Sequence, residues 1–174
     1  MDTLTDGVVT LNRWRAEDLD VLVDTVSASR EHIGEWLVWA TDGYGRAEGT
    51  EFLTSTAERW ASGEAQEYGI YTADSTLAGG CGLMRRDDGR EIGYWLAKTC
   101  TGRGLATRAT ALLVAEAWRL GTPHVDILHD ELNTRSGAIP ARLGFTLHHK
   151  EAASDALAPA CSGNDFVWRI QRPG

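Results

Sequence analysis

The segment from Glu91 to Ala106 changes its pattern within a few residues, and it constrains the fold more than any other stretch. Residues 92–96 form a dense apolar and aromatic run of strand length. A short polar loop with glycines at 102 and 104 follows. Apolar residues then recur at helical spacing from Leu105 to Leu120, where Gly121 supplies a stop signal. The segment therefore predicts a strand, a glycine-rich turn and a helix in direct succession.

A turn of this kind before a helix can bind an anion, because its free amides and the helix dipole converge on one point. Gly102 and Gly104 allow the backbone to approach a phosphate closely, and Arg103 adds a positive charge. The alternative interpretation is plain turn chemistry without a ligand. The spacing is neither the Rossmann fingerprint nor a P-loop, so it does not identify a nucleotide by itself.

The bulk properties narrow the class of protein. The chain has 174 residues, 43% hydrophobic and 24% charged, which predicts one globular domain over residues 1–174. A net charge of −8 argues against direct binding to nucleic acid or to an anionic membrane, and it suits a basic partner. Three widely spaced cysteines show no metal-binding pattern, so no metal is expected. Without a signal peptide or a long apolar run, the sequence predicts a cytoplasmic protein.

Hydrophobic periodicity along the whole chain predicts the order β-α-α-α-β-β-β-α-β-α-β-β, a mixed sheet with helices on both sides. Residues 151–163 are predicted to form a loop. The glycines at 79, 80 and 82 indicate a strand that passes close to another backbone, rather than a nucleotide-binding loop. Pro140 lies inside the helix predicted for Asn133 to Leu143 and cannot donate to the carbonyl of Ser136, so that helix is expected to be kinked or short.

Three ordered motifs resemble those of the GNAT-type N-acetyltransferases. Residues 101–106 resemble the loop that binds the pyrophosphate of acyl-CoA, although Thr101 stands where the family prefers Gln or Arg. Asn133 and Ser136, followed by residues 141–145, are similar to a second family segment. Residues 30–39 are similar to the tryptophan segment of the RimJ/RimL branch, the ribosomal-protein N-terminal acetyltransferases.

The resemblance implies an α/β (α+β) GNAT fold, in which a mixed and mostly antiparallel sheet carries helices on both faces. It also implies that the strand holding Leu96 splays away from the strand at residues 124–129. Acetyl-CoA would be the acyl donor and a primary amine the acceptor. The cofactor-binding positions that it implies are Leu96, Lys98, Thr101, Gly102, Arg103, Gly104, Ala106, Thr107 and Asn133.

The same resemblance implies catalytic roles for Ser136, Asn133 and Glu91. Ser136 would donate a proton to the CoA sulfur, and Asn133 would position the cofactor; alternatively, both residues only start a helix. Glu91 would act as the general base through a water molecule, unless it is a solvated charge at a strand end. His129 is the rival candidate for the base.

The acceptor is the least constrained part of this interpretation. Trp36 and Trp39 lie in the segment that borders the acceptor cleft in the RimJ/RimL branch, although tryptophans of this kind more often belong to a core. The favoured acceptor is the α-amine of a protein N-terminus. The alternatives are a small aminoacyl compound, such as an aminoacyl-nucleotide antibiotic, and an acyl-CoA sensor without turnover. The sequence is compatible with a homodimer and does not fix the oligomeric state.

Overall fold

The computed structural model describes residues 1–154 and 156–174 of the chain. Within those residues it contains eight strands and five helices. The strands are β1 (Thr3–Thr5), β2 (Val9–Arg13), β3 (Ala65–Thr72), β4 (Leu77–Arg86), β5 (Gly89–Leu96), β6 (His124–Asp130), β7 (Thr146–Ala152) and β8 (Asn164–Gln171). The helices are α1 (Leu19–Ala28), α2 (Arg30–Gly34), α3 (Arg46–Ser62), α4 (Leu105–Arg119) and α5 (Thr134–Arg142).

All eight strands belong to one sheet, with the spatial order β1-β2-β3-β4-β5-β6-β8-β7. Neighbouring strands are antiparallel except for β5 and β6, which are parallel and are connected through α4. The predicted element order is confirmed, with β1 as an additional strand at the edge. β1 has only three residues, too few to show an alternating pattern in the sequence.

Successive side chains of the strands pack on opposite faces of the sheet, as the twofold period of a strand requires. Tyr94 belongs to the core that α4 covers, together with fully buried Ile92 and Leu113. Trp95, the next residue, belongs to a second core beneath α1 and α3, which includes Leu22. The sheet is therefore covered by helices on both faces, as predicted.

β5 and β6 pair only at their first residues. Arg90 lies opposite Val125 and Glu91 opposite Asp126, and no later residue of β5 has a register partner on β6 in the described parts of the chain. β4 accompanies β5 along its whole length on the other side, as far as the Gly79–Leu96 pair. The two central strands therefore diverge from Ile92 onward, which is the predicted splay.

Two local predictions about glycine and proline can be compared with the structure. A Cβ atom on Gly80 would lie 2.5 Å from the indole nitrogen of Trp95, and one on Gly79 would lie 2.1 Å from the Trp95 carbonyl. The predicted close approach of this strand is confirmed. α5 has nine residues and contains Pro140, so it is short, as predicted.

The region between β7 and β8 differs in part from the prediction. A loop was expected over residues 151–163, but β7 extends through Ala152, because Glu151 and Ala152 pair with Asp165 and Asn164 of β8. Asp155, which belongs to the predicted loop, lies outside the described residues. None of the helices in the described residues is long and apolar enough to cross a membrane.

Candidate active site

The predicted anion loop follows β5 and a short 3-10 turn at Lys98–Cys100. Gly102 and Gly104 have φ angles of 74° and 73°, in the left-handed region that favours glycine. Open space surrounds the Cβ position of both residues. The Thr101 hydroxyl donates to the Lys98 carbonyl at 2.9 Å, so this side chain closes the turn.

The first turn of α4 presents its amides to the same loop. The first helical hydrogen bond runs from the Arg108 amide to the Gly104 carbonyl, so the amides of Leu105, Ala106 and Thr107 precede the helical ladder. Arg142 of α5 donates to the Thr107 hydroxyl at 3.0 Å. The side chain of Arg103 is exposed beside this helix end. The backbone amides, the helix dipole and the Arg142 guanidinium thus converge at the start of α4, a suitable environment for a pyrophosphate.

The C-terminal half of β5 offers backbone groups on its splayed side. Leu96 is half-buried at the end of this edge, and Lys98 is exposed just beyond it. The Lys98 amide donates to the hydroxyl of buried Ser29 at 3.1 Å. This bond anchors the end of β5 to the junction between α1 and α2. The open edge therefore leads from the splay point directly to the anion loop.

The start of α5 brings Asn133, Ser136 and Tyr94 together. The Asn133 side-chain carbonyl accepts the Ser136 amide at 3.1 Å, so Asn133 is the N-cap of α5. The Tyr94 hydroxyl lies 3.1 Å from the carbonyl oxygen of Ser136 and 3.1 Å from its Oγ. Burial raises the pKa of Tyr94 to about 12. The tyrosine remains protonated at neutral pH and is able to donate.

His129 was the rival candidate for the base, and its ring nitrogens are engaged. The indole N–H of Trp168 donates to Nε2 at 2.9 Å, and Nδ1 lies 2.8 Å from the Asp130 carbonyl. Since an indole can only donate, Nε2 is the acceptor and Nδ1 carries the hydrogen. A Cβ atom on Gly137 would lie 2.6 Å from Nε2, so α5 packs directly on this ring. His129 holds α5 against β6 and has no lone pair left for a substrate.

Glu91 lies at the splay point, opposite Asp126. Its carboxylate accepts the Arg86 guanidinium at 3.0 Å, and the same guanidinium donates to Glu151 of β7 at 2.7 Å. The Glu91 side chain keeps 27% of its surface exposed. Arg86 therefore binds one oxygen of the Glu91 carboxylate, and the Glu91 side chain remains partly exposed to solvent.

Glu91 and Ser136 lie on opposite sides of β5. Ser136 contacts Tyr94, which faces α4. Glu91 is three residues from Tyr94, so the alternation of the strand places it on the other face of the sheet, the face of Trp95. A group bound along the splayed edge of β5 would thus have a hydroxyl on one side and a carboxylate on the other.

The two predicted acceptor-side tryptophans flank this second face. Trp39 is 41% exposed as a residue, and its ring lies 5.9 Å from the ring of Trp95 and 5.6 Å from that of Tyr44. Trp36 is half-buried, and its carbonyl accepts the thiol of Cys161, which belongs to the loop between β7 and β8. That loop therefore reaches the end of α2, and the two segments together border the splayed strands.

The carboxylate of Asp130 anchors the same loop at the end of β6. It accepts the Leu132 amide at 2.9 Å through one oxygen and the Ser162 amide at 2.7 Å through the other. Burial alone would raise the pKa of Asp130, but these hydrogen bonds and those from Gly163 and the Ser162 hydroxyl lower it overall. The loop and the start of α5 are thus fixed by one ionised side chain.

Residues 9–146 match the model of a protein family described as acetyltransferase (GNAT) domain. Since the match spans most of the chain, the protein belongs to the GNAT acetyltransferase family. It is 27% identical over 167 residues to "Putative ribosomal N-acetyltransferase YdaF" of Bacillus subtilis (strain 168), covering 92% of this chain and 88% of the relative.

Two solved structures show the same fold. One is RimL, the ribosomal L7/L12 alpha-N-protein acetyltransferase, in complex with coenzyme A; it has a TM-score of 0.88 and 18% identity and covers 97% of each chain. The other is MccE, the microcin C7 self-immunity acetyltransferase, in complex with acetyl-CoA and AMP. It has a TM-score of 0.87 and 20% identity, with 97% of this chain and 94% of that chain covered.

Sequence reasoning missed three members of the site: Tyr94, Trp95 and Arg142. Tyr94 and Trp95 were assigned only to an apolar strand, since nothing in the sequence shows which helix each ring meets. Arg142 lies 35 residues from Thr107, which it contacts. A basic residue in the last turn of a helix is ordinary, so no signal marked it.

Proposed function

We propose that the protein, as a single domain over residues 1–174, transfers the acetyl group of acetyl-CoA to the α-amine of a protein N-terminus. The observation that carries this proposal is the splayed edge of β5. It joins an anion-binding loop at one end to a hydroxyl and a carboxylate on its two sides. A long thioester cofactor with a pyrophosphate would fit this arrangement.

The residues present suit the CoA group. Gly102 and Gly104 leave open space in front of the α4 amides, and Arg103 and Arg142 supply positive charge beside them. The unpaired edge of β5 up to Leu96 would hold the pantetheine arm through backbone hydrogen bonds. Among the described residues, the helix cap uses only the side-chain oxygen of Asn133, so its amide hydrogens would be available to the cofactor.

Acetyl-CoA, when bound, supplies an activated acetyl thioester. Ser136 would donate the hydrogen of its Oγ to the departing sulfur, on the α4 side of β5. Glu91, on the other side, would accept a proton from the amine through a water molecule. An α-amine has a pKa near 8, so about a tenth is already neutral at pH 7 and modest base assistance suffices.

The acceptor would reach the Glu91 side of β5, between α2 and the loop after β7. The overall charge of −8 suits a basic N-terminal peptide. The names of the two similar proteins, the ribosomal N-acetyltransferase YdaF and the ribosomal L7/L12 acetyltransferase RimL, point to ribosomal proteins as acceptors.

A small aminoacyl compound is the second candidate acceptor. The observation in its favour is Trp39, whose exposed ring would offer a face for stacking an aromatic group. MccE, with the same fold, was solved with AMP bound. The third possibility, an acyl-CoA sensor, would bind the cofactor without turnover.

Thiol release from acetyl-CoA tests the proposed function. The acceptors are ribosomal proteins, short peptides with free N-termini and aminoacyl-sulfamoyl nucleotides, and the control is the same peptide with a blocked N-terminus. We expect release with a free α-amine, no release with the blocked peptide, and an acetyl group located on the N-terminus by mass spectrometry. Stabilisation by acetyl-CoA without thiol release from any acceptor would contradict the proposal and favour the sensor.

A further inference from the structure

The carbonyl of Ser136 lacks its helical partner. In a regular helix the amide of residue 140 donates to the carbonyl of residue 136, but Pro140 has no amide hydrogen. The Tyr94 hydroxyl, 3.1 Å away, donates to this carbonyl instead. A tyrosine from β5 thus replaces the hydrogen bond that the proline removes.

The same hydroxyl lies 3.1 Å from Ser136 Oγ, so its single hydrogen has two acceptors on one residue. While the hydrogen points to the carbonyl, the Ser136 hydroxyl can donate to the Tyr94 oxygen. When the hydrogen points to Oγ, the Ser136 hydrogen is free to turn toward another acceptor. The pair therefore has two hydrogen-bond states that differ only in hydroxyl rotation.

We propose that Tyr94 is a positioning residue for Ser136 and replenishes its proton, with Pro140 holding the tyrosine in place by leaving the Ser136 carbonyl free. The proposal rests on the proposed acetyl transfer. As the amine nitrogen bonds to the acetyl carbon, the C–S bond would break with its electron pair going to sulfur, and Ser136 would give its Oγ hydrogen to that sulfur. The Tyr94 hydrogen moves to Oγ, and the phenolate then takes up a proton equivalent to the one that the amine loses.

The acidities of the groups favour this relay over serine alone. A serine that gave up its hydrogen without replacement would become an alkoxide, a much stronger base than a phenolate. Burial raises the pKa of Tyr94 to about 12, which keeps the group protonated between turnovers and returns a transient phenolate quickly to the protonated form at neutral pH. The Tyr94 hydroxyl contacts both oxygens of Ser136, so in this proposal it acts through the serine.

The first test combines Tyr94→Phe with Ser136→Ala in a double-mutant cycle. We expect Tyr94→Phe to lower kcat about tenfold to a hundredfold. This loss is at or below the lower end of the usual effect of removing a general acid, because a water molecule can take the place of the tyrosine hydroxyl. The acetyl-CoA Kd should change less than about twofold. In the Ser136→Ala background, Tyr94→Phe should have no further effect on kcat, since the two residues act as one unit.

Tyr68→Phe is the matched control. Its buried hydroxyl also donates to a backbone carbonyl, that of Met1, at 2.9 Å, on the same face of the sheet. We expect a lowered melting temperature and an unchanged kcat. If Tyr94→Phe behaves like this control, or if its effect adds in full to that of Ser136→Ala, the relay is wrong.

The second test separates support of the helix from proton supply by means of Pro140→Ala. An alanine amide at this position can donate to the Ser136 carbonyl. Tyr94→Phe should therefore lower the melting temperature clearly in the parent, by about 4 °C or more, and much less in the Pro140→Ala background. The loss of kcat should persist in both backgrounds.

Recovery of kcat together with stability in the double variant would show that Tyr94 only supports the helix and would overturn the relay. If Tyr94→Phe alone does not fold, the same comparison is made between Pro140→Ala and the double variant. Should the parent protein release no thiol with any acceptor, the proposed function and the relay fail together, while the melting-temperature cycle still reports the hydrogen bond.

Discussion

The two helix ends that flank the proposed site, the start of α4 and the start of α5, are built in different ways. α4 begins at Gly104, and its anion-binding groups are backbone amides set up by local φ angles. α5 begins at an asparagine cap, and its functional hydroxyl is oriented by Tyr94, which lies 42 residues earlier in the chain. The first end is suited to binding an anion, whereas the second holds a side chain that can move a proton.

Gly104→Asp should have the largest effect, because it places a carboxylate at the proposed pyrophosphate position. At about 5 Å and an effective dielectric constant near 20, one such charge pair costs about 3 kcal/mol, a loss of affinity above about 100-fold. Acetyl-CoA should then no longer raise the melting temperature, although it should do so for the parent protein. Free acetate should stabilise neither protein.

Gly63→Asp is the control for this variant, since Gly63, at the C-terminal end of α3, also has a φ of 74° and open space around its Cβ position. It should cost a similar amount of stability because of the left-handed backbone, while the shift caused by acetyl-CoA remains. If acetyl-CoA raises the melting temperature of Gly104→Asp as much as that of the parent protein, the assignment of this loop to the pyrophosphate is wrong. The start of α4 would then not be the anion-binding end in the comparison with α5.

Glu91→Gln should have a smaller effect than Gly104→Asp, on turnover rather than on binding, if the carboxylate accepts a proton through water. We expect kcat at pH 7 to fall about tenfold to a hundredfold and to recover as the pH approaches 9, because the acceptor amine then loses its proton without help. Glu67→Gln is the control, since Glu67 pairs with Arg59 as Glu91 pairs with Arg86. Equal pH–rate profiles for the two variants would rule out Glu91 as the base.

Asp130→Asn should have the smallest effect on turnover and should reduce stability. An asparagine presents an N–H group to backbone amides, so the loss at pH 7 should be about 1–3 kcal/mol in the free energy of unfolding. The pKa of Asp130 is lowered in the folded state, so its contribution is complete above the unfolded value near 3.9. The contribution disappears as the pH falls through the folded value.

Denaturant unfolding at several pH values measures this difference. The difference in the free energy of unfolding between Asp130→Asn and the parent should be constant from pH 5 to 7 and should shrink below about pH 4. Asp18→Asn, which loses a carboxylate that accepts a single backbone amide, should show a smaller difference. A difference for Asp130→Asn that grows in acid would contradict the assigned direction of the pKa shift.

The same contrast explains what could be predicted from the sequence. The element order and the α4 loop follow from local rules, since a glycine turn before an amphipathic helix has few other conformations. The asparagine cap of α5 follows in the same way. Thr101 was predicted to bind the cofactor, but its hydroxyl donates a hydrogen bond to the Lys98 carbonyl within the turn. The sequence pattern alone does not reveal this bond.

The contacts that complete the α5 end are long-range. Three such pairs depend on how α4 and α5 pack on each other and on strands β5, β6 and β8, and no periodicity encodes these partners. They are Tyr94–Ser136, His129–Trp168 and Thr107–Arg142. His129 illustrates the consequence. In the sequence it was a reasonable candidate base, and only the indole hydrogen bond shows that its acceptor nitrogen is occupied.

The most direct test of the account is Ser136→Ala, with acetyl-CoA binding measured by calorimetry and turnover by thiol release. The substitution removes Oγ and keeps the amide that Asn133 caps, and Ser62→Ala, an exposed helical serine, is the control. We predict a loss of kcat of about 10²–10⁴-fold, toward the low end, with nearly unchanged acetyl-CoA affinity. An unchanged kcat with a stability loss of up to about 1 kcal/mol would contradict the account and leave Ser136 as part of a helix start.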